Sequence, residues 1–285
     1  VRIVRARCGF SVLLAPLALA ALLAGWSAIV PAAAQPAAHP AGCRGTLYLT
    51  LDTGNMGEAE RIAQILARHQ VRATFFLANE KTPRGDHALD DGWAGYWRAR
   101  VAEGHAFGSH TFDHVYFRAD PAVGPAAFTA RPQFGGSAGR ALRWDGAAVC
   151  GELTRVDARL RALTGRGLDP LWRAPGGKAP HAVMRAAEGC GYRHVHWAPA
   201  GFLGDELPSE SFPNTRLLEQ ALRDIRDGDI LMAHLGIWSR RDPYAPTLDP
   251  LIAGLKARGL CFATIPEHPA YQASPRSSAS RGDGG

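Results

Sequence analysis

Four short segments of this chain place acids, imidazoles and a guanidinium where chemistry could be done. Thr50-Leu51-Asp52-Thr53-Gly54 puts a carboxylate at the tip of an apolar run, just before a glycine. Gly108 to His114 reads GSHTFDH, so His110 and His114 stand at i and i+4. On a helical turn that spacing puts two imidazoles on one face, where they can share a metal ion. Trp172-Arg173-Ala174-Pro175-Gly176-Gly177 sets a guanidinium against a turn, and Gly228 to His234 ends the apolar run ILMA on a histidine. Each segment alone is an ordinary structural feature. Together they supply the parts of a hydrolytic site: a carboxylate, an imidazole pair, an arginine and a second imidazole.

The elements that must position these groups alternate between two periods. Thr46 to Leu51 and Val71 to Leu77 read as strands, rich in apolar, β-branched and aromatic residues. His105 to Ser109, Leu171 to Arg173, Asp229 to Ala233 and Leu260 to Ile265 read as further strands. Between them, Ile62, Ile65, Leu66 and His69 fall at helical spacing, as do Leu153, Val156, Leu160 and Leu163 before Gly165. Leu217, Leu218, Leu222 and Ile225 mark another helix, and Asp249-Pro250 predicts an N-cap and first turn. Strand–helix alternation predicts a parallel sheet or barrel, where sites gather at the carboxyl ends of strands. Residues 115–150 break the rhythm and read as a long surface insertion beside the site.

Residues 1–34 have the layout of a secretory leader: Arg2, Arg5 and Arg7, an apolar stretch from Phe10 to Val30, then Ala32-Ala33-Ala34. An uncleaved membrane anchor is the competing reading. The chain carries a net charge of +6, which falls to +3 without the three leader arginines. No basic run with interleaved aromatics remains, which argues against a nucleic-acid partner. Beyond the leader, 35–45 reads as a linker, 46–270 as one domain and 271–285 as a disordered tail. An exported chain keeps Cys43, Cys150, Cys190 and Cys261, an even number in an oxidising compartment. Cys43 precedes the first strand and Cys261 opens the last, so the two can pair if those strands are neighbours. No CxxC spacing suggests a cysteine-type zinc site.

Over roughly Thr46 to Pro266 the sequence resembles the polysaccharide deacetylases, the NodB-homology domains of carbohydrate esterase family four. TLDTG resembles the family's T-F-D-D-G segment, HTFDH its metal-binding His pair, RAPGG its R-x-P-Y segment and DILMAH its strand-end L-x-H. The resemblance implies a distorted (β/α)7 barrel that removes N-acetyl groups from N-acetylglucosamine polymers with a divalent metal, usually zinc. It implies Asp52 as general base, His110 and His114 as metal ligands, and His234 as general acid. Arg173 would hold the base carboxylate, and the Gly176 backbone N–H would face the oxyanion. Trp197 and Trp238 are the aromatic residues expected to face a glycan. The protein would act outside the cytoplasm, periplasmic or secreted.

The chain departs from that pattern at Thr53, where the family's metal-binding aspartate stands. Three arrangements follow. Asp52 itself coordinates the metal, or a carboxylate such as Asp113 or Glu80 completes the site, or metal binding is weak. The last leaves two other functions open: a catalytically impaired carbohydrate-binding protein, or a metal-independent hydrolase of non-peptide C–N bonds. Leu89-Asp90-Asp91-Gly92 mimics the missing motif, but no apolar strand delivers it to a barrel mouth, so it reads as a helix-start acidic cluster. Asp205 is the acid nearest the family's later D-x-x-D-W segment, but it is out of phase, and His234 is left without an assigned partner.

Overall fold

The computed structural model describes residues 42–124 and 126–272. The leader, most of the linker and nearly all of the tail lie outside the described residues. Among the described residues, no helix is long and apolar enough to cross a membrane.

The chain opens on β1 (Gly45–Asp52), in which all eight residues are buried. Burial on both faces suits a continuous apolar run in a parallel sheet. The helix α1 (Ala59–His69) follows, burying Ile62, Ile65 and Leu66, and ends at Gln70 in the left-handed region. Then come β2 (Thr74–Leu77), α2 (Ala94–Ala102) and β3 (Ala106–Ser109). The expected insertion is ordered: β4 (Tyr116–Ala119), β5 (Phe128–Arg131) and β6 (Leu142–Arg143) form a small antiparallel sheet. The long α3 (Gly146–Thr164) begins inside the span read as insertion and stops at Gly165, φ 81°. It is followed by β7 (Leu171–Trp172), α4 (His181–Gly189), β8 (Arg193–His194), α5 (Asn214–Asp224) and β9 (Ile230–His234). The described elements close with α6 (Leu248–Ala257) and β10 (Leu260–Phe262). Asp249 does not cap α6, which begins one residue earlier; its carboxylate is taken by Arg68 at 2.7 Å and His69 at 2.8 Å.

All strand pairs of the main sheet are parallel. β1 is central, pairing with β9, β2 and β10; β3, β7 and β8 continue the sheet beyond β2. Beyond β8 the chain returns to β9: Ala198 N–H donates to Ile230 O at 3.0 Å and Leu203 N–H to Met232 O at 3.2 Å. A parallel bridge at Phe202 and Met232 makes this stretch an irregular further stave between β8 and β9. The sheet therefore curls as the distorted (β/α)7 barrel was expected to. Its main core packs α1, α2, α5 and α6 against β1, with Leu47, Leu49, Leu51, Ile62, Phe75 and Trp97 enclosed. A second core, with Phe117, Phe128, Val149 and Trp172, ties the small sheet to α3 and α4.

Two disulfides fasten this frame. Cys43–Cys261 joins the chain just before β1 to β10, as their parallel pairing allows, and Cys150–Cys190 joins α3 to the end of α4. The first bridge closes a loop of 218 residues at the opposite end of β1 from Asp52. Replacing Cys43 and Cys261 by Ala should lower unfolding free energy by about 2–4 kcal/mol, through the freed unfolded chain. Denaturant unfolding checks this, and an unchanged midpoint would contradict it.

Candidate active site

Register brings the four segments together. Asp52 is the Cα partner of His234, Phe76 of Gly108, Leu77 of Ser109, and Ser109 of Trp172. The residues one step past these pairs, Thr53, His110 and Arg173, therefore emerge side by side at the carboxyl end of the sheet.

Arg173 is fully enclosed and Asp52 is 2% exposed. The Arg173 Nη1 donates to Asp52 Oδ1 and to Thr50 Oγ1, both at 2.8 Å, and Nε donates to Val195 O at 3.2 Å. Its guanidinium lies over the Phe76 ring at 4.3 Å and the Trp197 ring at 5.4 Å. Burial pushes the Asp52 carboxyl up, but the charges of Arg173 and His234 and the Arg173 hydrogen bond together hold it below the ordinary carboxylate value.

The Nδ1 of His110 meets Arg173 O at 3.0 Å. A carbonyl only accepts, so this nitrogen carries the proton and Nε2 keeps its lone pair. Burial lowers the pKa of His110, so the ring is neutral. Its Nε2 faces Asp52 Oδ2 at 3.6 Å, two acceptors with no donor between them. The ring of His114 stands 5.0 Å from that of His110, and its Nδ1 is buried without a hydrogen-bond partner. Burial, then the neighbouring imidazoles, depress its pKa well below the usual value. Two neutral imidazoles, an orphaned buried nitrogen and a lone pair facing a carboxylate are donor chemistry that fits a divalent cation. Among the described residues, no three His, Cys, Asp or Glu side chains already close around one point.

The segment bearing these histidines is a turn, where the sequence predicted a helical face. Thr111 and His114 both have positive φ, 60° and 47°. Thr111 N–H donates to Ser109 Oγ at 3.2 Å, Val115 N–H to Thr111 Oγ1 at 2.7 Å and Asp113 N–H to Glu152 Oε2 at 2.8 Å. The first two of these bonds are local and favour the turn over a helix, and the third ties it to α3. Asp113 pairs with Arg155 at 3.1 Å, so its carboxylate is engaged away from the imidazoles.

Thr53 is buried, and its hydroxyl donates to Glu80 Oε1 at 2.8 Å while accepting from Ala78 N–H at 3.1 Å. Burial raises the Glu80 pKa to about 7. The backbone before the acidic pair Asp90-Asp91 is bonded to this segment, Ala88 N–H donating to Glu80 O at 2.8 Å, but the acids themselves are engaged elsewhere: Asp90 accepts from His87 N–H and the exposed Asp91 pairs with Arg159 at 2.7 Å.

His234 has a partner that its own neighbourhood in sequence does not reveal. Asp205 accepts from His234 N–H at 2.6 Å, and its two oxygens lie 3.1 and 3.2 Å from His234 Nδ1. Burial disfavours the imidazolium, but the charge and hydrogen bond of Asp205, with Asp52 and Glu206, raise the His234 pKa to about 10. The only sequence signal was an acid a few residues past Trp197. The irregular stave, bonded to β9 through Leu203, is what brings it into phase.

Gly176 sits in the turn after Arg173 at φ 67°, where a Cβ would also meet the Tyr116 ring at 3.1 Å. Trp197 is half-buried beside Arg173 and stacks on His196 at 4.4 Å. Trp238 is 61% exposed on the loop after β9. Near it, a cavity of about 170 Å³ is lined by His234, Asp205, Arg240 and Tyr244. Trp93, Trp97 and Trp172 are core residues.

Residues 40–195 match the family model described as polysaccharide deacetylase. Among curated relatives, the chitooligosaccharide deacetylase of Azorhizobium caulinodans is 25% identical over 232 residues, covering 78% of this chain and 93% of that protein. The peptidoglycan-N-acetylglucosamine deacetylase of Bacillus cereus is 22% identical over 233 residues, covering 78% and 86%. Among solved structures, a family 4 acetyl xylan esterase from Clostridium thermocellum, in complex with a cobalt ion, aligns with a TM-score of 0.61. It is 19% identical, covers 81% of this chain and 93% of its own, and at that identity the likeness is one of fold.

The His234–Asp205 pair yields a test of its own. A histidine whose folded pKa is raised to about 10 adds stability that is full below its unfolded pKa of about 6.5 and is lost as pH climbs through the folded value. In Asp205→Asn the anion is gone and burial acts against the proton. NMR titration of the His234 ring should then show its midpoint moving down from near 10 into or below the neutral range, and an unmoved midpoint would refute the assignment.

Proposed function

The chain belongs to the polysaccharide deacetylase family, and from that premise we propose an exported hydrolase that removes N-acetyl groups from an N-acetylglucosamine-containing glycan of the cell envelope or its surroundings. The observation that carries this reading is a pair of groups, adjacent in register and held in opposite protonation states. Asp52 is kept ionised by Arg173, and His234 is kept protonated by Asp205.

Amide hydrolysis needs both. Water attacks the acetyl carbonyl only as it loses a proton, and Asp52 takes that proton. The amine leaves poorly as an anion, and His234 delivers the proton to its nitrogen. The Gly176 N–H contributes a donor toward the developing oxyanion, at a backbone angle that glycine holds without strain. His110 and His114 would hold a divalent ion, Zn²⁺ by preference for two imidazoles, which when bound would supply Lewis acidity to water and to the carbonyl. Arg173 fixes the Asp52 carboxylate, so that the base points to one place.

Export is supported by the leader-like start and by two disulfides, which persist in oxidising compartments. A glycan substrate is supported by the exposed Trp238 and the half-buried Trp197, whose ring faces suit stacking on sugars. The hydroxyl at Thr53 favours one competitor, a carbohydrate-binding protein without catalysis.

Asp52→Asn and His234→Ala should each lower acetate release from chitooligosaccharides by about 10²–10⁴-fold, assayed below their lowered melting temperatures with the fold checked by circular dichroism. Wild-type rates in both variants would sink the reading, and no release by the wild-type protein with stoichiometric zinc would favour the binding protein. Activity that survives complete chelation would point instead to a metal-independent C–N hydrolase. Trp238→Ala should raise KM with little change in kcat, as loss of uniform substrate binding does; an unchanged KM would remove Trp238 from the glycan path.

A further inference from the structure

A divalent ion between two neutral imidazoles needs anionic oxygen to balance its charge, and the carboxylates around His110 and His114 differ in how far they are already committed. Asp52 is neutralised by Arg173 through Oδ1, and its Oδ2, 3.6 Å from His110 Nε2, is the oxygen assigned to the base. Asp205 is held by His234, and Asp113 and Glu152 are both held by Arg155. Glu206 is exposed. Glu80 differs from all of these. Its donors are the Thr53 hydroxyl and the Gly54 N–H, both neutral.

Its place in the fold is equally specific. Glu80 lies three residues beyond β2, which is flanked by the strands that carry Asp52 and His110. The chain around it runs along the histidine turn: His110 N–H donates to Leu77 O and Asn79 N–H to Phe112 O, both at 2.8 Å. On the other side, Thr53 is oriented by the Ala78 N–H, which occupies its oxygen and leaves its proton for Glu80. Thr53 thus guides a neighbouring carboxylate and supplies none itself.

We propose that Glu80 is the anionic donor that completes a divalent-cation site with His110 and His114, turning from the Thr53 hydroxyl onto the ion. The proposal rests on the reading that the imidazole pair holds such an ion. It gives the site two nitrogens and one carboxylate, a donor set common to hydrolytic zinc centres.

The test is Co²⁺ titration of the full chain, followed by the visible absorption of the bound ion and by calorimetry. Glu80→Gln should weaken Co²⁺ by at least about 10–100-fold, the scale on which metal-site partners act, and Thr53→Asp added to it should restore tight binding. Asp113→Asn should bind as the wild type does. Wild-type affinity and spectrum in Glu80→Gln, with binding lost in His110→Ala, would overturn the role of Glu80 alone. Wild-type binding in His110→Ala, or none in the wild-type chain, would overturn the ion site itself. Should Glu80→Gln fail to fold, Glu80→Asp serves: a shifted absorption band is expected, and an unchanged band overturns the proposal.

Discussion

The site is organised around one buried ion pair. Arg173 is wholly enclosed, and its guanidinium binds Asp52 on β1, Thr50 two residues before it, and the Val195 carbonyl beyond β8. Taking that charge out of water costs several kcal/mol, and the pair returns it only because the geometry is tight and the other donors are largely satisfied. Losing one partner of such a pair costs about 3–5 kcal/mol, since the other charge is left stranded. One nitrogen, Nη2, has no partner even so. The stacking of the guanidinium on Phe76 and Trp197 explains why arginine suits this place: its flat cation packs against rings, which an ammonium does less well.

Much else follows from where that pair sits. Its carboxylate faces the lone pair of His110, and the Arg173 carbonyl sets that lone pair by accepting a hydrogen bond from the other ring nitrogen. The same carboxylate is one of the charges that hold His234 protonated, after Asp205. The proposed base and acid, of opposite charge state, can therefore stand one strand apart without exchanging their proton. Thr53, one residue further along, is left outside this pairing, and its hydroxyl is turned toward Glu80.

The strand-end residues were legible in sequence because a buried parallel strand is a continuous apolar run, and a charged residue at its tip interrupts that run visibly. Asp52 and His234 both carry this mark. Arg173 and His110 follow shorter strands and were found through their motifs. The helices were legible through their period, although the Asp249 carboxylate is engaged by Arg68 and His69 of α1 rather than in a cap. The histidine turn was misread because i,i+4 spacing fits a helix, whereas three side-chain-to-backbone bonds fold it into a left-handed turn.

By itself, the sequence determined the fold class, the candidate reactive residues and the departure at position 53. These depend on local periodicity and residue type. Only the tertiary structure decided the pairings: Asp205 with His234, Glu80 with Thr53, Cys150 with Cys190, and Asp113 with Arg155 rather than with the imidazoles. Each of these depends on the register of strands or on how helices pack. Register is set by hydrogen bonds between segments far apart in the chain, as between β1 and β9, and no local pattern encodes which distant carboxylate a given imidazole will meet.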